Sequence, residues 1–173
     1  GRFRLFQAKA VVLDTGGVGR AFRITSPSWE YTGDGQLLAY HAGAALQDME
    51  FVQFHPNGMV WPPSVRGILV TEGVRGEGGV LRNSEGRRFM FDDVPENYRA
   101  QTATDPEEGW RYTQGDKTAR RPPELLTRDH VARCIMREVR EGRGSPHGGV
   151  FLDIAWIKER LPNAAEHIRK KLP

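Results

Sequence analysis

Met49-Glu50-Phe51-Val52-Gln53-Phe54-His55-Pro56 is the stretch on which the reading of the fold depends. Side chains with a period of two mark an extended chain, so this run predicts a strand with Met49, Phe51, Gln53 and His55 on one face. Pro56 restricts His55 to extended backbone and ends the run, which presents an imidazole at a strand terminus.

Upstream, Ala8 to Leu13 reads as a buried strand, and Thr15-Gly16-Gly17-Val18-Gly19 then imposes a tight turn where backbone can approach a ligand. The full dinucleotide fingerprint is not met: Phe22 stands where a third spaced glycine belongs, and Pro27 interrupts a long helix. A plain turn and a ligand-approaching turn both stay open on local sequence. Thr32-Gly33-Asp34-Gly35 precedes a short helix over Gln36 to Leu46, with Asp34 placed as its N-cap.

Downstream, Gly67 to Glu72 predicts a further strand, closed by the glycine-rich Gly73 to Gly79. That segment lacks the Gly-Lys-Ser/Thr ending of a phosphate loop, so hairpin geometry is expected. Val80-Leu81 and Arg88 to Phe91 are expected to pair around the turn at Asn83-Ser84-Glu85-Gly86. Residues 92–123 are polar, aperiodic and proline-rich, and read as an irregular excursion with one or two short helices. The clearest helix runs from Arg128 to Glu141, with Thr127 as N-cap and Gly142 as stop. Its stripe is Val131, Ile135 and Val139, widened by Ala132 and Met136. Val150 to Ile154 reads as a short strand, and the tail ends in Arg169-Lys170-Lys171, expected to be a solvated helix face. The pattern is that of an α+β protein.

The chain has 173 residues with 38% hydrophobic content, enough for a real core. Apolar runs such as Ala10-Val11-Val12-Leu13 are far too short to cross a bilayer, so any membrane link is expected to come through a partner. The first residue is Gly1 and the next ones already alternate, which reads as a start inside a fold. Net charge is +3, but Lys and Arg are interspersed with Asp and Glu, unlike a nucleic-acid tract. The single cysteine, Cys134, suits a reducing compartment.

Arg128 breaks a local rule, because cations are disfavoured in the first turn of a helix. Either solvent screens it, or Arg128 and the helix terminus together hold an anion such as a carboxylate. His55 is open between a structural and a catalytic role. His130, His147 and His167 give no zinc spacing, so no metal site is expected. Glu72 and Arg75 are close enough around a turn to pair.

In order and register, the segments Ala8 to Gly17, Tyr31 to Gly35, Met49 to Pro56, Thr71 to Gly79 and Arg128 to Arg133 resemble the succinate dehydrogenase/fumarate reductase flavoprotein family. The resemblance runs from about residue 8 to residue 154. It implies an FAD-binding, Rossmann-like domain interrupted by a capping domain that closes over a dicarboxylate. Residues 1–50 are then a strand-turn-helix portion of the flavin domain, and 51–173 most of a cap of mixed short strands and helices. It also implies FAD as cofactor, with Gly16, Gly17, Asp34 and Gln53 at flavin-facing positions. His55 and Thr71 match donors to substrate carboxylate, Arg128 the proton-transfer residue, and Glu72 with Arg75 the path that passes the proton on. Succinate oxidation sends a hydride to flavin N5 and a proton to Arg128; fumarate reduction reverses both. The resemblance further implies an iron–sulfur subunit, membrane-anchor subunits, no nucleic acid, and a place on the cytoplasmic or mitochondrial-matrix face of an energy-transducing membrane.

Three departures stand out. Asp14 replaces a small apolar residue before Thr-Gly-Gly, and Asn57 replaces the threonine after His-Pro. The N-terminal glycine fingerprint, the flavin-tethering histidine and the later substrate-binding histidine and arginine of the family have no counterpart in these residues, so the chain by itself is expected to be inactive. L-Aspartate oxidase shares the resemblance, although Gly73 favours the succinate/fumarate branch; a non-catalytic cap-like binding module is the other reading. Against the latter stand His55, Thr71, Glu72, Arg75 and Arg128 together.

Overall fold

The computed structural model describes residues 2–161; the basic tail at Arg169-Lys170-Lys171 lies outside them. The chain divides into two compact units, Gly1–Val52 and Gln53–Pro173. Helices and a two-stranded sheet make up the regular structure, in keeping with an α+β chain.

In the first unit, Ala8 to Leu13 is not a strand, and Val12 is 91% exposed. An extended run becomes a strand only when a neighbour takes its N–H and C=O groups, and no described segment does so. The ordered part lies around the glycine turn, where Arg20 N donates to the Tyr31 carbonyl at 3.0 Å. Helix α1, Asp34–His41, is shorter than the sequence predicts, because the chain turns out of the helix at Gly43 with φ +91°. Its N-cap is Gly33, also left-handed at φ +87°, so Asp34 occupies the first helical position rather than the cap.

The predicted strand 49–55 is irregular on both sides of the division at Val52, and in the second unit pairing begins only at Asn57. Met59 N donates to Ile68 O at 2.9 Å, Gly67 N to Met59 O at 2.8 Å and Val70 N to Asn57 O at 2.9 Å. The predicted strand at Gly67 to Glu72 is therefore reduced to the single antiparallel bridge Gly58–Leu69. Pro62 and Pro63, which have no N–H, close the loop between these segments.

Strand β1, Val80–Arg82, pairs antiparallel with β2, Phe151–Asp153, with Leu81 opposite Leu152. The predicted partner of β1, Arg88 to Phe91, instead contributes to a 3-10 turn over Phe89–Asp92. A strand would send Phe89 and Met90 to opposite faces, whereas the turn buries both. They join Leu81, Leu126, Val131, Cys134 and Ile135 in the core, each large side chain contributing about 1.5–3 kcal/mol by leaving water.

The excursion 92–123 carries the short helices α3, Glu96–Arg99, and α4, Pro106–Thr113. Asp105 caps α4 by accepting from the Glu107 and Glu108 amides, both at 2.9 Å. Helix α5, Arg128–Arg140, lies against the core through His130, Val131, Cys134, Ile135 and Glu138. That face is rotated from the predicted stripe, leaving Met136 44% exposed. Thr127 precedes α5 but makes no side-chain cap; its hydroxyl pairs with Asp129, whose carboxyl it holds below the usual range. No helix among the described residues is long and apolar enough to cross a membrane.

Candidate functional site

The glycine-rich segment after Thr71 forms a helical turn, α2, Gly73–Gly76, rather than a hairpin. Gly78 and Gly79 serve close packing: a Cβ on Gly78 would meet the Trp110 ring at 2.7 Å, and one on Gly79 the Val74 carbonyl at 2.8 Å. Coiling places Glu72 and Arg75 at i, i+3 on one side of the turn, where Arg75 Nη2 lies 3.7 Å from Glu72 Oε2. Arg75 is fully buried, whereas the Glu72 side chain is 42% exposed.

The first residue of α5 reaches the same carboxylate. Arg128 Nε donates to Glu72 Oε2 at 3.2 Å and Arg128 Nη1 to Gln53 Oε1 at 3.2 Å. Arg128, Glu72, Arg75 and Gln53 are thereby brought together from three separate stretches of sequence. His55 feels the same charges: burial, then the Arg128 and Arg75 cations, push its proton affinity below the ordinary histidine value, with Glu72 opposing. The Asn57 amide donates to His55 Nδ1 at 3.1 Å, so Nδ1 is an acceptor and the neutral ring carries its proton on Nε2. Thr71 Oγ1 accepts from Gly73 N at 3.4 Å. The arrangement combines hydrogen-bond donors suited to a carboxylate with a line of alternating charges suited to moving a proton.

The sequence reading missed Glu124. It is fully buried in the 3-10 turn Pro123–Leu125; its carboxylate is held by Arg88 at 2.6 and 2.8 Å, and its carbonyl accepts from Arg75 Nη1. The one signal for it was its position four residues ahead of Arg128 in an otherwise featureless segment.

Two other features lie apart from this chemistry. A groove of about 1120 Å³ runs between Phe54–Trp61 and the outer side of α5; it touches His55, but Glu72, Arg75 and Arg128 do not line it. Asp93, His130 and Cys134 gather their ligand-type atoms within 4.8 Å. Their groups are already engaged, with Asp93 Oδ2 on Arg137 at 2.5 Å and His130 Nε2 on the Asp93 carbonyl at 2.7 Å.

In the first unit, Gly16 has φ +73° and packs so tightly on Tyr31 that a Cβ would meet the ring at 2.9 Å. Gly17 borders open space, with nothing within 4 Å of a Cβ there. Gly35 at the start of α1 receives Thr15, whose Oγ1 would lie 1.6 Å from a Cβ. Gln36 Nε2 donates to the Gly16 carbonyl at 2.9 Å, and its Oε1 is buried with no hydrogen-bond partner among the described residues. The Asp34 carboxylate accepts from the Thr32 hydroxyl at 2.9 Å.

Comparison with known proteins assigns the chain. The model of the FAD binding domain family matches residues 1–173. The chain belongs to that family. It is 41% identical over 175 residues to the mitochondrial succinate dehydrogenase [ubiquinone] flavoprotein of Oryza sativa subsp. japonica, covering 96% of this chain and 23% of that protein. Among solved structures it resembles Mycobacterium smegmatis Sdh1 in complex with UQ1, at 54% identity and TM-score 0.53, over 95% of this chain and 24% of that one. It also resembles a point-mutant form of E. coli quinol fumarate reductase FrdA, at 34% identity and TM-score 0.61, over 87% and 23%. The chain thus spans about a quarter of the length of the relatives it matches. FAD is the cofactor of the family, and the first unit fits such a group on its own geometry: Gly17 leaves exposed backbone for a ligand to approach, and the neighbouring Gly16 carbonyl is held by Gln36, whose Oε1 is an orphaned acceptor.

Proposed function

We propose that this chain is part of the flavoprotein component of an FAD-dependent oxidoreductase that interconverts succinate and fumarate. The observation that carries the reading is the single line of charge Arg75–Glu72–Arg128, with His55 beside it. Residues 1–50 are read as a segment of the FAD-binding domain, and residues 51–173 as capping domain.

In this reading His55 donates from Nε2 and Thr71 from its hydroxyl to the carboxylates of the dicarboxylate, fixing the carbon chain. FAD, when bound, supplies the hydride acceptor or donor, with Gly16, Gly17, Asp34 and Gln53 as the residues of this chain that hold it. Arg128 moves the accompanying proton to or from the neighbouring carbon. A guanidinium is a reluctant base, and Arg128 is placed for the task at the first position of α5, with Glu72 against its Nε and the Arg75 cation behind Glu72. Glu72 accepts from Arg128, and its exposed side leads toward solvent. Iron–sulfur and membrane-anchor subunits are the proposed partners, and the cytoplasmic or matrix face of an energy-transducing membrane the proposed location.

The test is to assay the complete flavoprotein with succinate, fumarate and aspartate side by side. Turnover of succinate or fumarate is expected. Turnover of aspartate alone overturns the assignment in favour of an aspartate oxidase.

A further inference from the structure

We infer that Glu124 is a positioning residue for proton transfer, setting both the charge of Arg75 and the spacing between Arg75 and Arg128; the inference rests on the proposed dicarboxylate chemistry. Arg75 has no exposed surface, and its Nε and Nη2 have no hydrogen-bond acceptor among the described residues. Removing a guanidinium from water this far is costly unless opposite charge is near. Two carboxylates face it. Glu72 is half in solvent and is shared with Arg128, so much of its field is screened or divided. Glu124 is wholly buried, so solvent does not screen it; its carboxylate is shared with Arg88, and its hold on the Arg75 charge comes second to that of Glu72.

Glu124 is also a mechanical joint. Its carbonyl receives Arg75 Nη1, and the same short turn runs through buried Leu126 into the first residue of α5, which is Arg128. The turn at Glu124 therefore touches Arg75 on one side of Glu72 and leads into Arg128 on the other. The joint is anchored from behind by Arg88, whose Nε and Nη2 grip Oε1 and Oε2 of Glu124 and whose guanidinium lies 4.8 Å from the Phe91 ring centroid. Ion pairs join Arg88 to Glu124 at one end and Arg75 to Glu72 to Arg128 at the other, and the Glu124 carbonyl, not its carboxylate, links the two through Arg75 Nη1. None of the dicarboxylate donors belongs to this inner end, so Glu124 acts on the proton step rather than on substrate binding.

The experiment compares the complete flavoprotein with its Glu124→Gln, Glu124→Asp and Arg88→Gln/Glu124→Gln forms. The double variant replaces the buried ion pair by a neutral amide pair, which guards against a single variant that fails to fold with an uncompensated Arg88. Expected for flavin-loaded Glu124→Gln and for the double variant are a kcat lowered on the order of 10- to 100-fold, a KM for the dicarboxylate within about twofold, and a larger solvent deuterium isotope effect on kcat. Glu124→Asp, which keeps the charge, recovers part of the rate. An unchanged kcat and isotope effect in flavin-loaded variants overturns the inference, as does a loss of rate that only tracks loss of flavin or a rise in KM. No turnover of either dicarboxylate by the unaltered protein overturns the functional reading itself, and is thereby distinguished from failure of the inference alone.

Discussion

Glu72 accepts from Arg128 Nε at 3.2 Å, although 56 residues of sequence separate them. The same carboxylate oxygen lies 3.7 Å from Arg75 Nη2, so it bridges two cations, one buried and one half exposed. Exposed pairs of this kind contribute little to stability, so its importance is chemical. Glu72→Gln keeps the shape and a hydrogen-bond acceptor but removes the charge through which a proton passes. We expect kcat for the dicarboxylate to fall about 100-fold or more, with the visible flavin spectrum and the melting temperature retained. Turnover at the unaltered rate would show that the carboxylate is a surface ion pair and nothing else.

His55 supplies a test by titration. Burial, the Arg128 cation and the Arg75 cation lower its proton affinity from the ordinary 6.5, and Glu72 partly opposes them. Because the folded value lies below the unfolded one, protonation is harder in the native state. His55 therefore contributes nothing to the pH dependence of stability above about pH 6.5; as pH falls from there through the folded value, stability is lost. By NMR the His55 ring should titrate below 6.5, Arg128→Gln should move it upward, and Glu72→Gln should move it further down. A midpoint indifferent to both substitutions would place His55 away from the charge line.

These residues also show what the sequence can convey. The helix from Arg128 and its Gly142 stop are legible because periodicity and a left-handed glycine are local properties, although the predicted Thr127 side-chain cap is not made. The Glu72–Arg75 pairing is legible because it needs only a turn, although the turn is helical where a hairpin was expected. The strand at Ala8 to Leu13 is not borne out, since a ladder depends on a partner that local pattern cannot supply. Arg88 to Phe91 reads as a strand partner of Val80-Leu81, yet burying Phe89 and Met90 together wins. Glu124, marked only by its place ahead of Arg128, escaped for the same reason: its partners Arg88 and Arg75 are distant in sequence, and no periodic signal marks a buried carboxylate.

Cys134 should be inert. It is buried beside His130, its Sγ 3.4 Å from Nε2, and burial together with the Asp93 carboxylate pushes its thiol up to about 11. Only the thiolate reacts appreciably, so at pH 8 the native protein offers very little of it. Peptide mass spectrometry after iodoacetamide treatment should find Cys134 unmodified in the native flavoprotein and fully modified in denaturant. Rapid native labelling would mean that α5 opens far more readily than its packing implies.

The last prediction concerns what holds α5 to β1. Glu138 is buried on the inner face of α5, where Arg143 Nε and Nη2 meet it at 2.8 and 2.7 Å and Asn83 Nδ2 at 2.9 Å. Asn83 in turn accepts on Oδ1 from the Glu85 and Arg87 amides, at 3.0 and 2.9 Å, which closes the turn after β1. Asn83→Ala takes the acceptor from those two amides and one of two donors from Glu138 Oε2, which keeps Arg143 Nε, at a cost of about 1 kcal/mol. Hydrogen exchange at Glu85 and Arg87 should then accelerate about 5-fold relative to the unaltered protein. The hydrogen bonds from Arg143, aided by Asn83 and opposed by burial, hold the Glu138 carboxyl below its usual value. Its contribution is therefore complete above the unfolded value near 4.5 and is lost as pH falls through the folded one. Glu138→Gln should accordingly lower stability at pH 7 and flatten its acid dependence below pH 4.5, both read from melting temperatures across that range; an acid limb identical to that of the unaltered protein would show that Glu138 is not part of this lock.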